Sequence, residues 1–134
     1  MNAMADAARE RLTSLRNGLL KLHKTLLNSE RAVYERDVAR ITSTGQYLEL
    51  VLNDPWFAWL HQLSKFIVLV DETLDFDDPP TEADAERLIA QARGLVSPSE
   101  NGATFARSYF EAMQRDPAVV LAHRDMIQVF AALV

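Results

Sequence analysis

The pattern of apolar and polar positions predicts helices along the whole chain, and the most apolar stretch lies in the middle. Residues 56–70 read WFAWLHQLSKFIVLV, of which eleven of fifteen are apolar. Asp54 before them can cap free helical N–H groups, and Pro55 suits the first helical position. We therefore predict a central hydrophobic helix over 55–77. Because it is apolar on most sides, we expect it to be packed on most sides, either as a central helix of one chain or as a helix shared with a second chain.

The N-terminal third of the chain predicts one long helix over residues 4–42. Its leucines recur at intervals of three and four, which is typical of the apolar seam of a bundle or coiled coil. Gly18 is unfavourable in a helix interior, so a local irregularity is expected there. We expect the helix to break at Thr42–Gly45. The seam leucines are Leu12, Leu15, Leu19, Leu22 and Leu26.

Four further helices follow from start signals and apolar periodicity. A short helix is predicted over Gln46–Asn53, and Thr81 with Asp84 can cap a helix over Glu82–Leu95. A helix over 103–115 comes next, and Asp116-Pro117 opens the last one. No stretch alternates like a strand. The sequence therefore predicts an all-α helical bundle of five to six helices, forming a single domain over 1–134.

Composition and charge limit the cellular compartments in which this chain is expected. The chain has 134 residues, a net charge of −5 and no cysteine. Disulfides, thiolate catalysis and zinc–cysteine sites are therefore excluded, and the lack of cysteine fits a reducing compartment. The N-terminus carries charges where a signal peptide needs an apolar region. The central apolar run is too short to span a bilayer, and His61 and Lys65 interrupt it. We expect a cytoplasmic protein without a membrane partner.

The charge is unevenly distributed. Residues 1–45 hold eight Lys and Arg against five Asp and Glu, whereas residues 46–134 hold six against fourteen. Either the two halves complement each other within the fold, or a basic first helix meets an acidic partner. The net negative charge argues against nucleic-acid binding, and we expect none. Its candidate residues would be Arg9, Arg11, Arg16, Lys21 and Lys24.

No motif for catalysis or cofactor binding is present. The glycines stand at positions 18, 45, 94 and 102, which builds neither a dinucleotide fingerprint nor a phosphate loop. No histidine has a metal-ligating residue three or four positions away, which argues against a paired dimetal site. We therefore expect no cofactor and no catalytic residue, and we regard an enzymatic activity as less favoured than a non-enzymatic one.

Three polar residues nevertheless lie on predicted apolar faces. His23 has leucines three and four residues away on both sides, and His123 is flanked in the same way by Val, Met and Ile. Glu30 follows His23 by seven residues, which places it on nearly the same side of the first helix. If the first and last helices pack together, these three side chains form a network. This network is either a set of core side chains with satisfied hydrogen bonds or a set of polar contacts that fixes the register of the helices. The third alternative is a mononuclear metal site or a catalytic site.

An acidic run follows the central helix. Carboxylates at a helix C-terminus oppose the helix dipole, which suggests a compensating cation from Arg, Lys or a bound ion. The run is interpreted as a solvated linker, with a weak Mg²⁺ or Ca²⁺ site or a docking patch for a basic partner as alternatives. Its members are Asp71, Glu72, Asp75, Asp77 and Asp78.

The aromatic residues at the start of the central helix are candidates for interaction. Trp56, Phe57 and Trp59, with His61 after them, can be core anchors, a ligand-pocket lining or an interface. Phe57 lies about 100° from the main stripe on a helical wheel, which favours a second contact surface.

These observations favour a non-enzymatic interaction or assembly module. We expect a homodimer, formed through the first helix or the Trp56 region, or a complex with another protein. The alternative is a small-molecule or mononuclear metal-binding protein that uses a polar site between the first and last helices, with His23, Glu30 and His123 as its candidate residues.

Overall fold

The computed structural model describes residues 3–134, which form six α-helices and one short 3₁₀ helix without any strand. The predicted all-α bundle with a long N-terminal helix is confirmed. No helix within 3–134 is long and apolar enough to cross a membrane. The elements are α1 (Ala3–Asp37), α2 (Thr44–Asn53), the 3₁₀ helix (Pro55–Leu60), α3 (His61–Asp75), α4 (Glu82–Leu95), α5 (Thr104–Arg115) and α6 (Pro117–Ala132).

The helix at the centre of the bundle is α1, which packs against α6, α3 and α4. Its leucine seam is fully buried among these helices of the same chain. The seam therefore builds the core of this chain, and the dimer predicted through this helix stays a prediction that would have to use another face of α1. The buried seam residues are Leu12, Leu15, Leu19, Leu22 and Leu26.

The first helix ends five residues earlier than predicted, at Asp37. The Tyr34 carbonyl accepts hydrogen bonds from the N–H groups of Val38 and Ala39, at 2.8 and 3.3 Å. The chain then turns so that Ile41 returns to the core. The Ser43 hydroxyl accepts from the N–H of Gln46 at 3.1 Å and caps α2.

The predicted helix over 55–77 is divided in two. Asp54 caps it by accepting from the N–H of Trp56 at 2.8 Å, but the first six residues form a 3₁₀ helix. Because this helix has three residues per turn, residues three apart eclipse each other. Phe57 and Leu60 therefore share the inward row, and Phe57 is 0% exposed. The second contact surface expected from Phe57 was wrong, since the wheel assumed an α-helix.

The central helix is not packed on most sides within one chain, so that expectation was wrong, whereas sharing of the helix with a second chain stays a prediction. In α3, Leu63, Ile67 and Val70 are buried, whereas Val68 and Leu69 are exposed. The helix packs mainly on α1 and α4, so only one face is covered.

Gly18 lies where α1 and α6 approach each other closely. The helix is continuous through Gly18, so the irregularity expected there was wrong. A Cβ atom at this position would lie 3.0 Å from Sδ of Met126 and 3.3 Å from a methyl carbon of Val129. The missing side chain therefore lets Met126 pack directly on the α1 backbone.

Candidate functional site

Glu30 is the most deeply buried charged group described in the chain, and it is paired. Nη2 of Arg115, at the end of α5, donates to its carboxylate at 2.5 Å. The same nitrogen lies 3.5 Å from the hydroxyl of Ser29. The pair joins α1 to the C-terminal turn of α5. Glu30 thus meets an arginine rather than either predicted histidine.

His123 is held by Tyr109 across the α5–α6 hairpin. The phenol oxygen lies 2.7 Å from Nδ1, and the two rings meet edge to face at 5.4 Å. If the phenol O–H donates to Nδ1, both groups are satisfied, which leaves the Nε2–H tautomer. Burial raises the pKa of Tyr109 and lowers the pKa of His123. Both groups are therefore neutral near pH 7, and His123 is suited to a structural hydrogen bond.

The three candidate ligands do not form a metal site in the described residues. His23 is half-buried and has no hydrogen-bond partner within 3–134, and burial lowers its pKa. In the same range, no group of three His, Asp or Glu side chains could hold a metal ion. His23, Glu30 and His123 therefore do not combine as a ligand set.

The predicted interaction residues are used inside the chain. Trp56 packs edge to face on Tyr34 at 5.7 Å, and Trp59 packs on Phe105 at 5.4 Å. Nε2 of His61 donates to the carbonyl of Val51 at 2.8 Å.

Val51 lies in the last turn of α2, where carbonyls lack helical partners, so His61 caps that helix. Phe57 has no exposed surface. An interface through these four residues could use only the partly exposed surfaces of Trp56, Trp59 and His61.

Arginines of α1 supply part of the positive charge expected near the acidic run. Arg9 donates from Nη1 to the carbonyl of Leu74 at 3.0 Å, in the last turn of α3, and Arg16 pairs with Asp71. Arg11 donates to Glu82 and to the carbonyl of Leu133, both at 2.9 Å. Basic and acidic halves therefore complement each other within the fold at these contacts. Three of the five residues considered for nucleic-acid binding, Arg9, Arg11 and Arg16, take part in these contacts.

Apolar side chains are exposed on the outward face of α3 and directly after it, near this acidic run. Val68 is 51% exposed, Leu69 43% and Phe76, directly after the helix, 66%. A shallow groove of about 450 Å³ extends from Leu69 and Phe76 towards Pro79, Pro80 and the start of α4. We call the surface formed by Val68, Leu69 and Phe76 the α3 face.

A second concave surface lies between the first and last helices. This groove of about 580 Å³ has an apolar floor that includes Gly18, Leu22 and Met126. Lys21 and Asp125 stand on its rim. It occupies the place predicted for a polar site, but none of His23, Glu30 and His123 lines it.

Two partners of the candidate residues were missed by sequence reasoning. Tyr109 stands seven residues before Asp116 and His123 seven residues after it. Because one residue joins α5 to α6, positions equidistant from Asp116 face each other, and that symmetry could have found the pair. No such signal in the sequence indicated Arg115 as the partner of Glu30, because 85 residues separate the two.

Comparison with known proteins identified no relative of this chain. No family model matches the sequence, and neither a curated protein nor a solved structure shows significant similarity to it.

Proposed function

We propose that the chain is a non-enzymatic interaction module that binds another protein through the α3 face. The observation that carries this proposal is the exposure of Val68 and Leu69 on α3 together with that of Phe76 directly after the helix. Single exposed apolar residues are ordinary on protein surfaces. A contiguous apolar patch beside a groove is instead typical of interaction sites.

The internal partners of the polar candidates support a non-catalytic role. Glu30 is neutralised by Arg115, and Nδ1 of His123 is occupied by Tyr109. His61 caps α2. Each of these groups already has a structural hydrogen bond, so none is poised as a free base or nucleophile.

The proposed interface differs from the one that the sequence favoured. A dimer through the α1 seam would require buried leucines to leave the core. The α3 face needs no such rearrangement. We propose in addition that the interaction takes place in the cytoplasm, because the chain contains no cysteine and so fits a reducing compartment.

Site-specific photo-crosslinking in the source cells tests the proposal. A photoreactive amino acid is placed at position 76, and a matched one at position 121, where Leu121 is 52% exposed on α6. We expect a discrete adduct from position 76 that Val68→Ser abolishes, and no such adduct from position 121. No adduct from position 76, or the same adducts from both positions, would contradict the proposal.

A second candidate function is small-molecule binding in the groove between α1 and α6. Its volume of about 580 Å³ lies within the usual range of ligand pockets, roughly 300–1,000 Å³. Screening a fragment library by NMR tests this function, with the Met126 methyl group as the reporter. Saturable shifts of Met126 that Gly18→Val removes from the folded protein would support it. Shifts that are absent, or unchanged by Gly18→Val, would contradict it.

A further inference from the structure

The α3 face is bordered by carboxylates without partners. Glu72, Asp75, Asp77 and Asp78 are all exposed. Within 3–134, none of these four lies within ion-pairing distance of a basic side chain. Three of them surround Phe76 in the sequence, so the apolar anchor and the negative charge occupy the same end of α3.

The basic groups nearby leave this charge largely uncompensated. Arg16 pairs with Asp71, and Arg87 pairs with Asp84 across the groove. Lys65 is exposed one turn before Val68 and Leu69, at the opposite end of the face from Phe76. The C-terminus of α3 adds a partial negative charge, part of which Arg9 offsets through its hydrogen bond to the Leu74 carbonyl. The four carboxylates still outnumber this one arginine, so the surface around Phe76 is negative, and Lys65 stands apart from it.

We propose that the partner segment bound by the α3 face is a cationic amphipathic helix of another protein. This inference rests on the proposed function. Leu69 and Phe76 stand seven residues apart, which corresponds to about 10 Å along a helix and to two turns of a partner helix. Apolar anchors on such a segment would cover Val68, Leu69 and Phe76. Lys or Arg beside those anchors would meet the four carboxylates.

Charge complementarity decides between this partner and a second copy of the chain. In a two-fold symmetric dimer, each surface patch meets the same patch or a neighbouring one on the other copy. Pairing two α3 faces would bring the carboxylates around Phe76 towards each other, and such like-charge contacts are costly. A cationic segment removes that repulsion and steers its own association at low salt.

The test uses three synthetic helical peptides of 18 residues and the purified full chain. In the first peptide, Leu recurs at alternating intervals of three and four residues, so that it forms one face of the helix. Lys stands on both sides of that face. The second replaces each Lys by Glu, and the third has the composition of the first with its leucines scattered around the helix. Affinities are measured by calorimetry, and contacts are mapped by amide shifts of the ¹⁵N-labelled chain.

We expect the first peptide to bind, with the largest shifts at Val68, Leu69 and Phe76. Phe76→Ser should weaken it tenfold or more, whereas Leu121→Ser, a matched exposed residue of α6, should leave it unchanged. Glu72→Gln combined with Asp75→Asn should also weaken it, and more at low salt than at high salt. Glu49→Gln combined with Glu100→Gln serves as the charge control and should have little effect.

Three results would overturn the inference. One is equal affinity of the scattered peptide, which would show attraction by charge alone. Another is binding of the Glu peptide as tight as that of the Lys peptide. The third is the absence of binding at the α3 face, seen either as amide shifts that lie away from α3 or as no shifts at all.

The photo-crosslinking at position 76 separates failure of the inference from failure of the proposed function. An adduct to a neutral or acidic segment, or to a second copy, refutes the cationic helix while leaving an interaction through the α3 face intact. The absence of any adduct refutes the function itself.

Discussion

Arg115 and Glu30 form an ion pair whose two members differ in their access to water. The side chain of Glu30 is 7% exposed, whereas that of Arg115 is 31% exposed. The Nη2–carboxylate distance is 2.5 Å. The arginine therefore reaches from the surface to neutralise a carboxylate that α1 holds inside the bundle.

Removing the arginine should cost more than removing the carboxylate. Arg115→Met leaves a buried carboxylate without a partner, and we expect the free energy of unfolding to fall by about 2–3 kcal/mol. Glu30→Gln leaves a guanidinium that water still reaches, so the expected loss is about 1 kcal/mol. Urea denaturation near pH 7 measures both values.

An exposed ion pair on the same helix provides the control. Arg107 pairs with Glu111 at 3.3 Å, and both side chains are exposed. Arg107→Met should therefore have almost no effect on stability. Equal losses in Arg115→Met and Glu30→Gln would show that burial of the carboxylate does not govern this pair.

Acidification should destabilise the fold in two separate pH ranges. Burial holds the pKa values of His23 and His123 below 6.5, so the unfolded chain takes up protons at these residues more readily than the folded one. Stability should be full above about pH 6.5 and fall as the pH drops below that value. The pKa of Asp84 is lowered by its bonds to Thr81, so its contribution should be lost only below about pH 4.

Urea midpoints at pH 8, 7, 6 and 5 measure the histidine contribution. His123→Gln and His23→Gln should each reduce the fall of the urea midpoint between pH 7 and pH 5. The interpretation fails if the wild-type midpoint is constant or rises over that range, or if the double variant declines as steeply as the wild type.

The helical glycines at positions 18 and 94 should respond differently to alanine. A Cβ atom at Gly94 would meet nothing within 4 Å, so Gly94→Ala should stabilise the protein by about 0.5 kcal/mol. At Gly18 the same gain is offset because Met126 must move. Gly18→Val, which is larger and β-branched, should lower the free energy of unfolding by about 1–3 kcal/mol. Thermal denaturation compares the three variants, and an equal gain from both alanines would contradict the close approach of α1 and α6.

The sequence predicted the helices well because their signals are local. The Thr81–Asp84 capping box forms as expected, with both hydrogen bonds at 3.0 Å. The orientation of Phe57 could not be predicted in the same way, because a change from 3.6 to three residues per turn moves a side chain from one face to another. Which helix becomes central is also not a local property, since α1 and α3 are both apolar enough for that position.

The candidate site was less predictable than the fold. Glu30 was identified as a polar residue on an apolar face, but its partner depends on how α5 is rotated against α1. The exposure of Val68 and Leu69 depends likewise on which faces of α3 the neighbouring helices leave uncovered. Both features follow from packing between distant segments, which periodicity along the chain does not encode.

The central claim is that the α3 face binds a cationic helix of another protein, and a competition experiment tests it most directly. Crosslinking from position 76 is carried out in extract of the source cells, with and without an excess of the Lys-flanked amphipathic peptide. We predict that this peptide suppresses the adduct and that the peptide with scattered leucines does not. An adduct that persists unchanged at saturating peptide would contradict the claim, because the natural partner would then occupy a different surface.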